Sequence, residues 1–283
     1  MTDDRGPFIV APDWLFARLD DPSVKVVDGS WYLPAMRRDA RAEFDMHHVP
    51  GAVFFDVDAA SDPDSPLPHM LTGPEQFARY AGRLGLSDRD TIVVYDGMGL
   101  FSAPRVWWNL RLMGAVKTVI LDGGLPAWIE ARLPVESGSA PLYPALFGAH
   151  RATGQVATLD EMVRIVRDGD EQIVDARPAG RFAGTEPEPR AGMRSGHMPG
   201  ARSLPATDLQ ENGRLLPPDR LRAVLRDAGV DPNKPAVTTC GSGVTAATIT
   251  LALETLGAPT HRLYDGSWSE WGGREDTPVD TGN

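Results

Sequence analysis

An internal duplication constrains the fold of this chain more than any other feature of its sequence. Four segments of the first half recur in the same order in the second half, each about 145 residues later. The paired segments are HVPGAVFFDVD at 48–58 with HMPGARSLPATD at 197–208, VVDGSW at 26–31 with IVDARP at 173–178, IVVYDGMG at 92–99 with AVTTCGSG at 236–243, and LDGGLPAW at 121–128 with YDGSWSEW at 264–271. The chain is therefore predicted to contain two copies of one folding unit. His48 and His197 open the same Pro-Gly segment in both copies, so we expect them to stabilise that turn.

Each copy alternates short apolar segments with amphipathic ones. Residues 91–97, TIVVYDG, are typical of a buried strand, and residues 73–85, GPEQFARYAGRLG, place apolar side chains on one face of a helix. Thr158 and Glu161 form a capping-box pattern at the start of another helix. The apolar stripe of that helix is predicted to consist of Leu159, Met162, Val163 and Val166. This alternation predicts an α/β fold with two tandem domains, each a mainly parallel sheet flanked by helices.

The division between the two domains is predicted from composition. Residues 138–155 are rich in Pro, Gly and Ser and lack helical periodicity, which is typical of a linker. The N-terminal domain, without the cysteine, is therefore expected at 1–137 and the C-terminal domain at 156–283. A chain of 283 residues is long enough for each domain to bury its own core.

Charge and composition exclude several classes of function. The net charge of −11 argues against a nucleic-acid-binding protein. A single cysteine excludes an internal disulfide, and no metal site is expected with so few soft ligands. The sequence shows no secretion signal and no apolar run of about 18 residues, so neither a membrane span nor export is expected. We expect a cytoplasmic location, where a reducing environment keeps a thiol free.

The one cysteine, Cys240, lies in the segment TTCGSGVTAATI at 238–249, where an apolar strand ends and a helix-like stretch begins. A loop that leads from a parallel strand into a helix directs its backbone N–H groups at one point. Gly241 and Gly243 permit the unusual backbone angles that such a loop needs. The N–H groups and the helix dipole would stabilise a thiolate there, which predicts that Cys240 is a nucleophile.

The simplest alternative is that Cys240 is a small buried apolar residue. The duplication argues against it, because Asp96 occupies the matching position and the fold therefore does not need a thiol there. A tyrosine-phosphatase-like loop would need an arginine at the position of Ala246. A cysteine protease would need a histidine base, for which His69 is the candidate, but the strand–loop–helix setting of the nucleophile does not suggest that reaction.

The duplicated H-x-P-G-A units, the cysteine loop in the second copy and DGSWSEW at 265–271 resemble the tandem-domain sulfurtransferases of the rhodanese superfamily. The loop CGSGVTA at 240–246 is similar to that of 3-mercaptopyruvate sulfurtransferases, whereas thiosulfate-using rhodaneses typically carry the basic loop C-R-K-G-V-T. The resemblance covers nearly the whole chain. It implies sulfur transfer from 3-mercaptopyruvate to a thiol acceptor or cyanide through a persulfide on Cys240, with release of pyruvate.

The resemblance also implies a substrate-binding segment, GRFAGTEPEPR at 180–190. In the family, two arginines of this segment hold the carboxylate and ketone of mercaptopyruvate, and they match Arg181 and Arg190. Arginine is always charged and can bind a carboxylate through two parallel hydrogen bonds. The loop residues implied to surround the transferred sulfur are Gly241, Gly243, Val244 and Thr245. Nearby Arg177, whose counterpart in the first copy is Ser30, receives no assigned role.

A proton relay is implied in the same way. A Ser–His–Asp relay has been proposed for the mercaptopyruvate enzymes, and the matching residues are Ser242, His69 and Asp58. A histidine that is oriented by a carboxylate can pass a proton to or from a hydroxyl. The alternative is that His69 and Asp58 only stabilise the boundary between the two domains.

Two other functions remain as alternatives. A thiosulfate:cyanide sulfurtransferase is opposed by the absence of basic side chains at 241 and 242, and a non-catalytic redox-sensing module is opposed by the pair Arg181 and Arg190. A neutral loop favours mercaptopyruvate because that donor carries its charge on the carboxylate, away from the transferred sulfur.

No cofactor is expected. The expected partners are a small-molecule sulfur donor and a thiol acceptor such as thioredoxin, with the chain a monomer or weak oligomer.

Overall fold

A computed structural model of the protein describes residues 5–139 and 141–282. The chain separates into two compact units. Unit 1 comprises the described residues up to Pro63, Leu71–Ala152 and Glu211–Leu215, and unit 2 comprises Asp64–Met70, Thr153–Gln210 and the described residues from Leu216 onward. In the part of the chain that the structure describes, no helix has the length and apolar character needed to cross a membrane.

Unit 1 is built around one parallel sheet. Its strands are β1 (Ile9–Val10), β2 (Val24–Asp28), β3 (Val53–Phe54), β4 (Thr91–Tyr95) and β5 (Thr118–Leu121). They lie in the order β1-β5-β4-β2-β3, and every neighbouring pair is parallel. The helices are α1 (Pro12–Phe16), α2 (Ala40–Met46), α3 (Pro74–Arg83), α4 (Ala103–Leu112) and α5 (Gly124–Glu130), with a 3-10 helix at Pro34–Met36.

Unit 2 repeats this arrangement. The strands that follow along the chain are β6 (Val156–Ala157), β7 (Gln172–Asp175), β8 (Ala201–Ser203), β9 (Gln210–Glu211), β10 (Arg214–Leu215), β11 (Ala236–Thr239) and β12 (His261–Tyr264). Of these, β10 and Glu211 of β9 belong to unit 1. The helices are α6 (Leu159–Asp168), α7 (Ala179–Ala183), α8 (Pro218–Asp227), α9 (Ala246–Thr255) and α10 (Ser267–Trp271), with a 3-10 helix at Ala206–Leu209. The main sheet has the order β6-β12-β11-β7-β8, again parallel throughout, and β9 pairs with β10 separately. The two main sheets have the same strand order, which confirms the predicted tandem α/β fold.

Each unit has its own apolar core, and a buried tryptophan occupies the same place in both cores. Trp128 in unit 1 and Trp271 in unit 2 are fully buried against the sheet. Each indole N–H donates to a backbone carbonyl a few residues further along, Pro134 at 2.7 Å and Pro278 at 2.8 Å. A buried indole needs such an acceptor, so both copies retain it.

The two Pro-Gly turns are held by their histidines. The ring of His48 stacks on Phe44 at 4.1 Å between centroids, and its Nδ1 lies 2.8 Å from the Phe44 carbonyl oxygen. His197 makes the same two contacts with Phe182, at 3.8 Å and 2.9 Å. Each histidine therefore ties the turn to the helix that precedes it in the chain.

Helix α6 begins where the capping pattern predicts. The Thr158 hydroxyl accepts from the Glu161 N–H, and the Glu161 carboxylate accepts from the Thr158 N–H at 2.8 Å. The predicted apolar stripe is wrong at one position, because Val163 is 44% exposed. Met162 is buried as predicted, and Ile165, which the predicted stripe omits, is buried beside it because both side chains face the core of unit 2.

Most of the predicted linker, 138–155, packs on unit 1. Its described residues form no helix or strand, but Ala145 N–H donates to the Gly82 carbonyl at 2.9 Å and Ala152 N–H donates to the Leu112 carbonyl at 2.8 Å. Phe147 is buried beside Phe77, with ring centroids 5.6 Å apart. Unit 1 therefore extends to Ala152, because these contacts anchor the segment there.

Candidate active site

Cys240 lies at the carboxyl end of β11, in the loop that leads into α9. Its side chain is a free thiol and the residue is only 2% exposed. Asp96 occupies the same place in unit 1, between β4 and α4. The topology therefore places each side chain at the carboxyl edge of its own sheet, where ligands of parallel α/β folds usually bind.

Helix α10 fixes the backbone of the cysteine loop. The Trp268 N–H donates to the Cys240 carbonyl at 2.9 Å, and the Ser269 N–H and hydroxyl donate to the Gly241 carbonyl at 2.9 and 2.6 Å. The Cys240 N–H donates to Ser267 Oγ at 3.2 Å. Both carbonyls are thus turned toward α10 and are satisfied there. Ser267 and Ser269 were not singled out from the sequence, although the repeat had marked DGSWSEW as a unit.

The two loop glycines serve different purposes. Gly243 adopts a φ of 77°, in the left-handed region, as its prediction requires. For Gly241 the prediction of an unusual backbone angle is wrong, because its φ is not positive. A Cβ at Gly241 would instead lie 3.1 Å from Arg181 Nη2 and 3.8 Å from Arg190 Nη1. The missing side chain leaves room for two guanidinium groups beside the loop.

Val244 and Thr245 complete the loop. Val244 is 3% exposed, and Thr245 is the N-cap residue of α9, where its carbonyl accepts from the Thr248 N–H at 3.1 Å. Among the described residues, no acceptor meets the backbone N–H groups of Ser242 and Thr245. These donors stand at the start of a ten-residue helix, whose dipole favours negative charge.

Ser242 contacts both a histidine and an arginine. Its Oγ lies 2.9 Å from His69 Nδ1, and Arg190 Nη2 donates to the same oxygen at 3.4 Å. Ser242 and His69 are each 5% exposed. The structure therefore brings together three of the predicted site residues. His69 also has a φ of 61°, a strained backbone angle for a residue other than glycine.

His69 belongs to unit 2 although it precedes most of unit 1 in the sequence, because the segment Asp64–Met70 is part of unit 2. Asp58, the third member of the predicted relay, lies in unit 1. There its exposed carboxylate accepts a hydrogen bond from Trp31 Nε1 at 3.2 Å. The contact between Ser242 and His69 is thus present, while the place of Asp58 in the relay stays a prediction.

Arg181 is held by a buried carboxylate. Its Nε donates to the two oxygens of Glu188 at 3.2 and 3.1 Å, and its Nη2 donates to Glu188 Oε2 as well. Arg177 Nη1 also donates to Glu188, at 2.7 Å, and Arg177 Nη2 donates to Asp175 at 2.6 Å. The side chains of Arg177, Asp175 and Glu188 are 1%, 1% and 3% exposed. Sequence reasoning missed Glu188, although it lies within the segment 180–190, and the role of Arg177, because no residue spacing shows that these two side chains meet.

Arg177 joins this ion-pair chain to the cysteine loop. Its guanidinium lies 4.2 Å from the ring centroid of Trp268, whose backbone N–H holds the Cys240 carbonyl. Burial acts to lower the pKa of Arg177, but the charges of Asp175 and Glu188 outweigh burial and hold that pKa above its ordinary value. Arg177 therefore stays charged inside the unit.

No cluster of His, Cys, Asp and Glu able to hold a metal ion occurs within residues 5–139 and 141–282. The reactive groups at this edge of unit 2 are a thiol, a serine hydroxyl, an imidazole and two guanidinium groups. Such a set can bind a carboxylate, provide a sulfur nucleophile and move a proton.

Comparison with known proteins defines the class. The model of the family described as "Rhodanese-like domain" matches residues 11–131 and again residues 158–274. The chain therefore belongs to the rhodanese-like family, with one domain of that kind in each half, and the resemblance drawn from its motifs is confirmed.

Individual relatives narrow the comparison. The 3-mercaptopyruvate sulfurtransferase of Escherichia coli (strain K12) is 44% identical over 274 residues, which cover 96% of this chain and 98% of the relative. The crystal structure of SseA from Escherichia coli, described as a 3-mercaptopyruvate sulfotransferase with the rhodanese fold, superposes with a TM-score of 0.86 at 42% identity, covering 93% of this chain and 99% of that one. A thiosulfate sulfurtransferase of Cricetulus griseus is 40% identical, covering 93% of this chain and 91% of its own.

Proposed function

We propose that this protein transfers sulfur from 3-mercaptopyruvate to a thiol acceptor or to cyanide, through a persulfide on Cys240. The observation that carries the proposal is the position of two guanidinium groups beside a neutral loop. Arg181 and Arg190 both lie close to Gly241, although the loop itself has no basic residue. The site thereby offers positive charge to a carboxylate whose carbon is three bonds removed from the sulfur being transferred.

The first half-reaction forms the persulfide. The Cys240 thiolate attacks the sulfur of 3-mercaptopyruvate, a new S–S bond forms, and the electrons of the C–S bond leave with the carbon fragment as the enolate of pyruvate. Arg181 and Arg190 would bind the carboxylate and the oxygen on which negative charge develops. The N–H groups of Ser242 and Thr245 support a negative sulfur at the start of α9.

The enolate then needs a proton. His69 and Ser242 are in hydrogen-bond contact, so the pair can deliver a proton to the enolate carbon or take one from the substrate thiol. Asp58 is proposed as the carboxylate that orients His69. In the second half-reaction a nucleophilic acceptor attacks the outer sulfur and restores the Cys240 thiolate, which predicts ping-pong kinetics.

A thiosulfate sulfurtransferase is the second candidate, because a relative with that name is 40% identical over most of this chain. Thiosulfate carries its charge next to the transferred sulfur and would gain from basic residues within the loop. Positions 241 and 242 are Gly and Ser here, so the first candidate fits the charges better.

The deciding experiment measures thiocyanate formation with cyanide as acceptor and compares kcat/KM for the two donors. We expect a preference of about 100-fold or more for 3-mercaptopyruvate, the size of effect that two charged contacts can supply. A preference for thiosulfate would show that the second candidate, a thiosulfate sulfurtransferase, is the correct function. Absence of turnover with either donor, together with reversible oxidation of Cys240, would instead indicate a redox-sensing module.

The setting of the reaction is part of the proposal. A free, catalytic thiol requires a reducing compartment, for which we propose the cytoplasm. A reduced dithiol protein such as thioredoxin, or a small thiol, would serve as acceptor. We propose a monomer or weak oligomer, which sedimentation at assay concentrations can test.

A further inference from the structure

We propose that Glu188 is a positioning residue, which turns the guanidinium of Arg181 so that its remaining N–H groups receive the substrate carboxylate. The inference rests on the proposed function, because it assigns Arg181 to the carboxylate of the sulfur donor. Glu188 itself would not touch the donor.

The hydrogen bonds of Arg181 divide its guanidinium into two edges. Glu188 occupies the edge formed by Nε and Nη2. The Nη1 atom of Arg181 has no acceptor among the described residues. The Nη2 atom lies 3.1 Å from the place of a Cβ on Gly241, so the second edge stands beside the cysteine loop. An arginine fork of two N–H groups in that position matches a carboxylate.

The anchor is itself rigid. The side chain of Glu188 is only 3% exposed and also accepts from Arg177, which in turn is fixed by Asp175 and packs on Trp268. Arg181 is the most exposed member of this chain of ion pairs, at 14%. This series of ion pairs therefore runs from the interior of unit 2 to Arg181, which lies beside the cysteine loop.

The charges of this group are balanced without substrate. Asp175 and Glu188 carry two negative charges, and Arg177 and Arg181 carry two positive ones. Arg190 adds one further positive charge close to Gly241. The four ion-paired groups thus carry no net charge, and Arg181 gives direction to an incoming carboxylate. Glu188 thus contributes geometry to substrate binding rather than net attraction.

The test is a double-mutant cycle on the full-length protein with 3-mercaptopyruvate as donor and cyanide as acceptor. Glu188→Gln keeps the shape of the side chain but removes its charge and one acceptor. We expect kcat/KM to fall about tenfold, mostly through KM, because misplacing a binding group by a fraction of an ångström has effects of this order. Product inhibition by pyruvate, which carries the same carboxylate, should weaken by a similar factor.

The same substitution in an Arg181→Ala background should change kcat/KM by less than about twofold, because its effect passes through Arg181. Glu75→Gln, the same change at a side chain that is 94% exposed on α3 of unit 1, is the matched control and should leave kcat/KM unaltered. If Glu188→Gln does not fold, Glu188→Asp retains the charge for Arg177 and withdraws it from Arg181, and it should show the same KM effect.

Three results would overturn the inference: a Glu188→Gln protein with wild-type kcat/KM, an equal loss in the presence and absence of Arg181, or an equal loss from Glu75→Gln. Any of these leaves the proposed function intact if the wild-type protein still prefers 3-mercaptopyruvate and Arg181→Ala still raises KM. Failure of the wild-type protein to use 3-mercaptopyruvate would remove both proposals together.

Discussion

The loop after β4 and the loop after β11 occupy the same position in the two units, but the first carries a carboxylate where the second carries a thiol. In unit 1 the Asp96 carboxylate accepts from the backbone N–H groups of Met98, Phe101, Ser102 and Ala103, at 2.7 to 2.8 Å. In unit 2 a thiol stands at that position, and the matching donors of Ser242 and Thr245 meet no acceptor in the described part of the chain. The first loop is occupied by an anion of its own, whereas the second can accommodate one formed on Cys240.

The surroundings of the two loops extend this difference. In unit 1, Arg38 forms an ion pair with Glu43 at 2.6 Å and lies over the ring of Tyr32. A Cβ on Gly97 would come within 2.3 Å of Tyr32 Oη, so this loop is closed by a side chain. In unit 2 the corresponding arginine–glutamate pair is Arg181 with Glu188, and no tyrosine lies against Gly241. One scaffold has therefore produced a structural loop and a reactive one through a few side chains.

The largest effect should come from the thiol itself. Cys240→Ser replaces the sulfur with an oxygen that cannot form a persulfide, so sulfur transfer should fall to the background rate. Mass spectrometry of the intact protein after incubation with donor should show one added sulfur atom in the wild type and none in the variant. A variant that retains turnover would refute the proposed chemistry, and equal thermal unfolding of both proteins would exclude a folding defect as the cause.

The comparison is sharpened by the matching change in unit 1. Asp96→Ala leaves two buried and two partly buried N–H groups without their acceptor and should lower the free energy of unfolding by about 3 kcal/mol. Cys240→Ala removes a smaller side chain that does not hold four N–H groups, and it should lower the free energy of unfolding by about 1 kcal/mol. Urea denaturation followed by circular dichroism measures both. Equal losses would show that the two loops do not differ in the way described.

Substitution of Asp28 and of Asp175, which occupy matching positions in the two units, should change stability in opposite directions. Burial raises the pKa of Asp28 to about 6, with hydrogen bonds from Ser30 and Tyr95 opposing that shift. Because the folded state then holds its proton more tightly than the unfolded state, the contribution of Asp28 favours folding at low pH. That contribution is lost as the pH rises from about 4 to 6.

Asp28→Asn should therefore stabilise the protein by about 2 to 3 kcal/mol above pH 6 and remove this pH dependence. Asp175→Asn should destabilise it by about 3 kcal/mol, because Arg177 loses its buried partner. Denaturant midpoints at pH 4, 5, 6 and 7 test both variants. Destabilisation by Asp28→Asn at pH 7 would contradict the interpretation of its burial.

The smallest effect concerns the two glycines that follow Asp96 and Cys240. Gly241→Ala presses on Arg181 and should raise KM for 3-mercaptopyruvate about threefold with little loss of stability. Gly97→Ala presses on the ring of Tyr32 and should lower stability by about 2 kcal/mol with kcat/KM unchanged. Kinetics and thermal unfolding of the two variants distinguish these outcomes. A loss of stability from Gly241→Ala together with a raised KM from Gly97→Ala would contradict the difference described between the two loops.

Sequence reasoning succeeded where one local pattern determines the structure. The repeat predicted two sheets of the same kind, Thr158 and Glu161 placed the start of α6, and the context of Cys240 placed the thiol between strand and helix. It failed where contacts between residues that are distant in the sequence determine the structure of the site. Gly241 was assigned a backbone role because glycine is known for that property, while its actual contribution is space for Arg181. Glu188 gave no signal, because an acidic residue between prolines does not show which arginine it will meet after folding.

The hold of α10 on the cysteine loop has a consequence for the newly made chain. Residues 267–269 supply the groups that bind the backbone of Cys240 and Gly241, and they are synthesised after the loop. While the ribosome is still adding the residues between, Cys240 is an ordinary thiol on a nascent chain. Its preorganised surroundings arise only once the last helix has docked. The groups that preorganise Cys240 therefore follow it in the order of synthesis, so this arrangement cannot form before α10 has been made.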